Sequence, residues 1–178
     1  MKYLMISDIH GSSYFLEKVL AKVKDFDKLI ILGDILYHGP RNNLPNGYEP
    51  KNVIEILSAY KENIIAVRGN CDAKIDLDVL GFDIPDHKLI TFDNVNVFLT
   101  HGDIYNHDNM PEDKYINALM HGHTHVNVNY NIDGKKVINL GSLSIPKDNH
   151  HSYAIIQDNK VRIYDLLTDE IILEETLG

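Results

Sequence analysis

Seven side chains of metal-binding type stand just beyond short apolar runs. Asp8 and His10 follow Lys2–Ser7, and Asp34 follows Lys28–Leu32 across Gly33. Asn70 follows Asn63–Val67 across Arg68-Gly69, His101 follows Val95–Thr100, and His123 and His125 follow Ile116–Met120. The set combines carboxylate, imidazole and amide. It exceeds the four ligands at which a structural zinc closes. It suits two ions of higher coordination that share one carboxylate and one water. Mixed nitrogen and oxygen donors without a thiolate set favour Mn, Fe, Zn, Co or Ni over Ca or Mg. Two divalent cations about 3.5–4 Å apart are a recurring device for phosphoryl chemistry.

Each motif alone is weak. Asp-x-His and Gly-Asp are common, and a lone histidine is more often a surface or hydrogen-bonded core residue than a ligand. Five such motifs at five successive run ends reverse that weighting. Asp72 and Asp103, one or two residues beyond Asn70 and His101, are candidates to orient imidazoles or simply to form turns. His121 reads as structural, with a substrate contact as the lesser alternative. Arg41 lies in a loop and reads either as solvated, as a subunit contact, or as a fork for phosphate. His38 shares that loop, while His87, His107, His150 and His151 carry no signal.

The apolar runs that hold these residues are brief and rich in Ile, Val and Leu, the pattern of buried strands. A helix between the first two is predicted from the Ser12 or Ser13 cap and the stripe Phe15, Leu16, Val19, Leu20, Val23. A second begins at Pro50, with Val53, Ile54, Leu57 and Tyr60 facing inward. Val126–Ile132 alternates, Asp133-Gly134 supplies a hairpin turn, and Lys136–Leu140 returns. Tyr153–Gln157, Lys160–Leu166 and Glu170–Glu175 read as a closing meander. The expected architecture is α/β with two sheets, a βαβ half followed by a β-rich half. Ligands gather at the carboxyl ends of strands in such sheets, so the seven residues should meet at one rim. Leu36–Glu49 is a long loop, a kind often functional.

The 178 residues suit one domain, 1–178, with ordinary composition: 44% hydrophobic and 24% charged. Net charge is -9, from 26 acidic and 17 basic residues, and no basic stripe offers a nucleic-acid footprint. The single cysteine, Cys71, forms no intrachain disulfide and fits a reducing compartment. No apolar run reaches membrane-span length, and the short first run is too brief for a signal peptide. The expected location is cytoplasmic.

In their order, the motifs resemble the calcineurin-like metallophosphoesterase superfamily, whose pattern is Asp-x-His, Gly-Asp, Gly-Asn-His-Asp/Glu, a histidine after a strand, and Gly-His-x-His. The likeness runs from Lys2 to about Pro146. Gly33-Asp-Ile-Leu-Tyr-His-Gly-Pro-Arg-Asn42, Val67-Arg-Gly-Asn-Cys-Asp72 and Asn139-Leu-Gly-Ser-Leu-Ser-Ile-Pro-Lys147 are similar to the YfcE-type bacterial phosphodiesterases of that superfamily. The resemblance implies a four-layer α/β/β/α sandwich. It implies a first metal on Asp8, His10 and His125, a second on Asn70, His101 and His123, and a bridging carboxylate from Asp34. Asp34, Asn70 and His101 would be catalytic as well as metal-binding, and Mn is the favoured ion.

One departure stands out. The superfamily has a histidine after the Asn of its third motif, where it assists the leaving group, and this chain has Cys71. The YfcE-type proteins share that cysteine. The implied reaction is hydrolysis of a small phosphodiester by a hydroxide bridging two metals. Rival readings are a phosphomonoesterase or cyclic-nucleotide phosphodiesterase on the same metal core, and a non-catalytic scaffold like the small retromer subunit. The resemblance also suggests a homo-oligomer.

Overall fold

Strands with period-two patterning bury both faces only when something packs on each side. In the computed structural model, which describes residues 1–178, two mixed sheets meet that need by stacking on one another. The elements run β1 (Tyr3–Ile6), α1 (Ser13–Lys22), β2 (Lys28–Ile31), α2 (Pro50–Ser58), β3 (Ile64–Ala66), α3 (Lys74–Asp78), β4 (His87–Phe92), β5 (Val95–Thr100) and β6 (Ala118–His121). There follow β7 (Asn127–Ile132), β8 (Lys135–Leu140), β9 (Ser152–Gln157), β10 (Lys160–Asp165) and β11 (Ile171–Thr176). A six-stranded sheet has the order β11-β10-β9-β1-β2-β3 and a five-stranded sheet the order β4-β5-β6-β8-β7. The pairs β1–β2, β2–β3, β5–β6 and β6–β8 are parallel, and the rest are antiparallel.

Alternation sorts the core into layers. Leu4, Ile6, Leu29 and Ile31 pack under the apolar stripes of α1 and α2, with Phe15, Leu16, Val19, Val53 and Leu57 buried there. Their neighbours Met5 and Ile30 point the other way and meet Val97, Leu99, Met120 and Ile138 of the second sheet. Truncating Leu99 or Met120 to Ala in that inter-sheet layer should cost about 2–5 kcal/mol. Ser12 supplies the cap of α1, its Oγ accepting from the Phe15 N–H at 3.3 Å. Pro50 stands at the start of α2. No helix is long and apolar enough to cross a membrane.

The expected α/β sandwich of two sheets is present, with four differences of detail. The last three strands join the first sheet, because β9 pairs with β1, so the sheets do not follow the two halves of the chain. His87–Phe92 forms an edge strand whose alternate residues are exposed, which blurs its apolar pattern. Lys74–Asp78 forms a five-residue helix without a side-chain cap. The outer face of the second sheet (Phe98, Leu119, Val137) is covered by Tyr105, Met110 and Ile116 from a segment that forms no helix.

Candidate active site

Because β1, β2 and β3 are parallel, and β5 and β6 likewise, their carboxyl ends deliver Asp8, His10, Asp34, Asn70, His101, His123 and His125 to one rim. The turns they make are sharp. Asp8, His10, Asp34, His123 and His125 all have left-handed backbone, with φ of 56°, 47°, 54°, 70° and 62°. Such a conformation costs on the order of 1–3 kcal/mol per residue and persists where surroundings over-determine it. Two glycines allow the close approach. A Cβ on Gly122 would collide with the Ser7 hydroxyl and the Asp8 carboxylate, and one on Gly69 with the Asp34 carboxylate.

The ligand atoms form two overlapping groups. In the first, Asp8 Oδ1 lies 3.1 Å from His125 Nε2 and 3.5 Å from His10 Nε2. The two Nε2 atoms are 3.2 Å apart. In the second, His101 Nε2 lies 3.0 Å from Asn70 Oδ1, 3.2 Å from His123 Nδ1 and 3.3 Å from Asp34 Oδ2. Asp34 Oδ2 is also 3.6 Å from His10 Nε2, so one oxygen reaches a member of each group. Asp34 Oδ1 accepts the Cys71 N–H at 2.8 Å.

Backbone carbonyls set the imidazoles. His10 Nδ1–H donates to Tyr37 O at 2.8 Å, His125 Nδ1–H to Ile145 O at 2.7 Å, and His101 Nδ1–H to Leu32 O at 2.7 Å. Each bond leaves the Nε2 lone pair facing inward. The interior of the site is therefore lined by acceptors pointed at one another, an arrangement that needs protons or cations between them. Asp8 Oδ1 is buried without any hydrogen-bond partner, while its Oδ2 accepts from Ser7 Oγ at 2.6 Å and His123 N–H at 3.0 Å. The residues fit divalent cations, and Asp8, His10 and His125, and also Asp8, Asp34 and His101, have ligand atoms close enough to share an ion.

The titration behaviour of the protein alone expresses the same need. Burial works to raise the Asp8 carboxyl, but the His10 and His125 imidazoles beside it, which favour its charged form, outweigh burial and hold it well below the usual carboxylate range. Asp34 is likewise lowered, since His101 overcomes its burial. Burial alone would discharge His101, yet Asp34 and Asp8 push it up to about 10. His10 is raised by the same carboxylates against its burial. Burial, together with the Asp34 charge, lifts the Cys71 thiol to about 12, so it stays a neutral group at neutral pH.

Of the two readings left open for Asp72 and Asp103, neither residue takes the one that orients an imidazole. Asp72 does not orient an imidazole. Its carboxylate accepts the N–H groups of Asp34 (2.8 Å), Ile35 (2.8 Å) and Gly69 (2.9 Å), tying the β2 and β3 loops together. Asp103 is exposed and has no hydrogen bond to a histidine, a role the backbone carbonyls fill instead. His121 ends β6 and is buried, its charged form so disfavoured by burial that its pKa falls to about 4. Ser142 and Ser144, which lie in the Asn139–Lys147 stretch and are given no role by its likeness, both donate to Asp8 O at 3.0 Å. Asn139 donates to Gly122 O and Thr124 Oγ1 at 2.8 Å each, fixing the loop that carries His123 and His125.

The site opens into a cleft of about 530 Å³ whose lining includes Asp34, Asn70, Cys71, His123, His125, Arg41 and Lys147. A larger hollow, about 710 Å³, lies at Lys74, Leu77 and Phe82, and it holds none of the seven residues.

A sandwich of two mixed sheets with a carboxylate-imidazole cluster at the strand ends defines a metallophosphoesterase. The chain belongs to that group: residues 1–160 match the calcineurin-like phosphoesterase superfamily domain. It is 40% identical over 179 aligned positions to the phosphodiesterase YfcE of Escherichia coli K12, covering 98% of this chain and 97% of that one. A structure of E. coli YfcE, described as a phosphoesterase, superposes with a TM-score of 0.93 over 100% of both chains at 37% identity. The probable metallophosphoesterase YsnB of Bacillus subtilis is 27% identical, covering 96% of this chain and 95% of that one. Vacuolar protein sorting 29 of Cryptosporidium parvum shares the fold, with a TM-score of 0.64 at 20% identity over 98% and 97% of the two chains.

Proposed function

We propose that this chain is a phosphodiesterase with a dinuclear metal centre, loaded with Mn and acting on a small phosphate diester in a reducing, cytoplasmic compartment. One observation carries the reading. A single carboxylate oxygen, Asp34 Oδ2, lies within 3.6 Å of His10 and 3.3 Å of His101, which belong to different ligand groups. On this reading Asp8, His10 and His125 hold one ion, Asn70, His101 and His123 the other, and Asp34 joins them.

When bound, two divalent cations supply a water made acidic enough to act as a hydroxide nucleophile near neutral pH, and positive charge for the phosphoryl oxygens. The residues of the chain do the rest. Carbonyls of Leu32, Tyr37 and Ile145 hold three imidazoles in the ligating tautomer, so little rearrangement accompanies binding. Asn70 lines the cleft and sets its Oδ1 3.0 Å from His101 Nε2, where it would serve the same ion. Cys71 takes the place of the usual acid, and its thiol, at about 12, is a weak proton donor. The reaction is therefore best suited to esters with a good leaving group, or to protonation by water.

A metal-dependence series on bis(p-nitrophenyl) phosphate tests this. Turnover with Mn and little with Mg, at about two ions per chain, is the expected result. A purified protein that takes up no transition metal and turns over no ester would overturn the reading and favour a scaffold, and one that hydrolyses the diester equally well in chelator would overturn the metal-dependent mechanism. Parallel assays on p-nitrophenyl phosphate and cyclic nucleotides separate the rival esterases.

A further inference from the structure

The chain has three arginines, and two of them are spoken for. Arg68 pairs with Asp86 at 2.6 Å, and Arg162 pairs with Glu174. Arg41 has no carboxylate partner, although acidic residues outnumber basic ones by 26 to 17. Instead it lines the cleft over Asp34 and Asn70. Lys147 lines the same cleft, and its ammonium is equally unpaired. The neighbouring Asp148 is committed elsewhere: one oxygen accepts from Asn127 N–H and Nδ2 at 2.6 and 2.7 Å, the other from His150 N–H at 3.1 Å.

The backbone segments that carry both cations are held in register with the ligands. The loop that carries Arg41 supplies the Tyr37 carbonyl that fixes His10, and it is braced by Asn42 Nδ2 donating to His38 O at 2.8 Å. The segment that carries Lys147 supplies the Ile145 carbonyl that fixes His125, and Lys147 N–H itself donates to His125 O at 2.8 Å. The two bases therefore stand on the two segments that orient the two histidines of one ligand group.

Charge balance says what they face. This step rests on the dinuclear reading given above. Two divalent cations against the two ligating carboxylates, Asp8 and Asp34, leave two positive charges, which a singly charged diester and a hydroxide neutralise, while the Asp72 carboxylate is met by three backbone N–H groups. Arg41 and Lys147 are then surplus to the reacting phosphorus, and a cleft of about 530 Å³ leaves room beyond it. We propose that Arg41 and Lys147 clamp a second phosphate, carried on the arm of the diester that is not expelled. The substrate class is a short phosphodiester bearing a terminal phosphomonoester. The guanidinium fork takes two of its oxygens and the ammonium a third.

The test uses two chromogenic diesters that differ only in the retained arm: p-nitrophenyl ethyl phosphate, and the same ester with a phosphate on the terminal carbon of the ethyl group. Manganese-loaded protein should prefer the doubly phosphorylated diester in kcat/KM by about tenfold or more. Arg41→Gln and Lys147→Gln should each cut that preference by about tenfold, and Arg41→Lys should restore part of it. Calorimetry supplies a readout free of turnover: ethane-1,2-diol bisphosphate should bind more tightly than ethyl phosphate, and the double Gln variant should lose the difference. A preference that survives in the double variant, or is absent from the wild type in both measurements, overturns the clamp. So does an equal loss on both diesters, which would place the two bases on the reacting phosphoryl. If the loaded wild type hydrolyses neither diester, the hydrolase reading fails, and the binding comparison still decides for or against the clamp.

Discussion

At the end of the sandwich far from the cleft, the hairpins β4–β5, β7–β8 and β9–β10 turn through Asp93-Asn94, Asp133-Gly134 and Asp158-Asn159, with φ between 42° and 80°. At the cleft rim, Asp8, His10, Asp34, His123 and His125 adopt φ between 47° and 70°. The backbone conformation is the same and its cause is different. Asp, Asn and Gly at a two-residue turn are the types that tolerate it, and local side-chain bonds offset the cost, as when Asn131 accepts the Gly134 N–H at 3.1 Å. At the rim, no turn chemistry asks for histidine. The conformation there aims acceptor atoms at each other, and tertiary contacts such as those on Asp72 and Asp8 hold it in place. One end spends its left-handed residues on connecting strands, the other on assembling charge.

Substitutions can break or sharpen that contrast. The largest effect is expected from Asp34→Asn, which removes the charge shared by both ligand groups. Activity should fall by at least about a thousandfold with the fold intact, and the second metal should be lost; a variant that keeps near-full rate with metal present would rule out the bridging role. Asp72→Asn comes next. It sets an amide NH2 among three N–H donors, so activity or metal affinity should fall about 10–100-fold and stability by about 1–3 kcal/mol, measured by metal titration and urea unfolding. His123→Asn should behave oppositely in its two readouts. Asn tolerates left-handed backbone, and burial disfavours the charged form of His123, so the metal-free protein should be unchanged or up to about 1 kcal/mol more stable while turnover is lost. Destabilisation as severe as that of Asp72→Asn would show that the rim is held by its ligands and not by its supports. Asn94→Gly, at the far end, should shift stability by no more than about 0.5 kcal/mol and leave turnover alone.

The smallest effect concerns the β10–β11 turn. Burial would raise Asp165, but N–H groups of Thr168 and Leu167 and the His150 imidazole lower it. A carboxyl depressed in the folded state contributes stability above its unfolded pKa of about 3.9 and loses it as pH falls through the folded value. The melting-temperature difference between wild type and Asp165→Asn should therefore be present at pH 7 and shrink below about pH 4. A constant difference down to pH 2 would mean that the charge plays no part.

Much of this was legible in residue order because the chemistry stands at strand ends. Val95–Thr100 was readable to the residue, and Asp133-Gly134 and Asp158-Asn159 marked their turns through residue types that tolerate positive φ. What the sequence could not disclose was pairing. Nothing in Tyr153–Gln157 says that its partner is β1, since strand partners depend on which edge is free and not on local pattern. The supports were equally silent. Tyr37 and Ile145 act through their carbonyls, which every residue has, and Ser142 and Ser144, though inside a stretch quoted for its likeness, have no side-chain type that announces a brace. Lys147 fell within a stretch noticed for its likeness, yet only the fold brings it to the same cleft as Arg41.

The central place of β1 has a consequence for how the protein comes into being. It precedes every other strand of its sheet in chain order, and it lies between β2 on one side and β9 on the other. Until residues 152–157 leave the ribosome, one of its edges stays bare and the Ser142–Ser144 brace on Asp8 has no finished sheet to lean on. A nascent chain thus carries Asp8 and His10 well before the strand and serines that complete their surroundings.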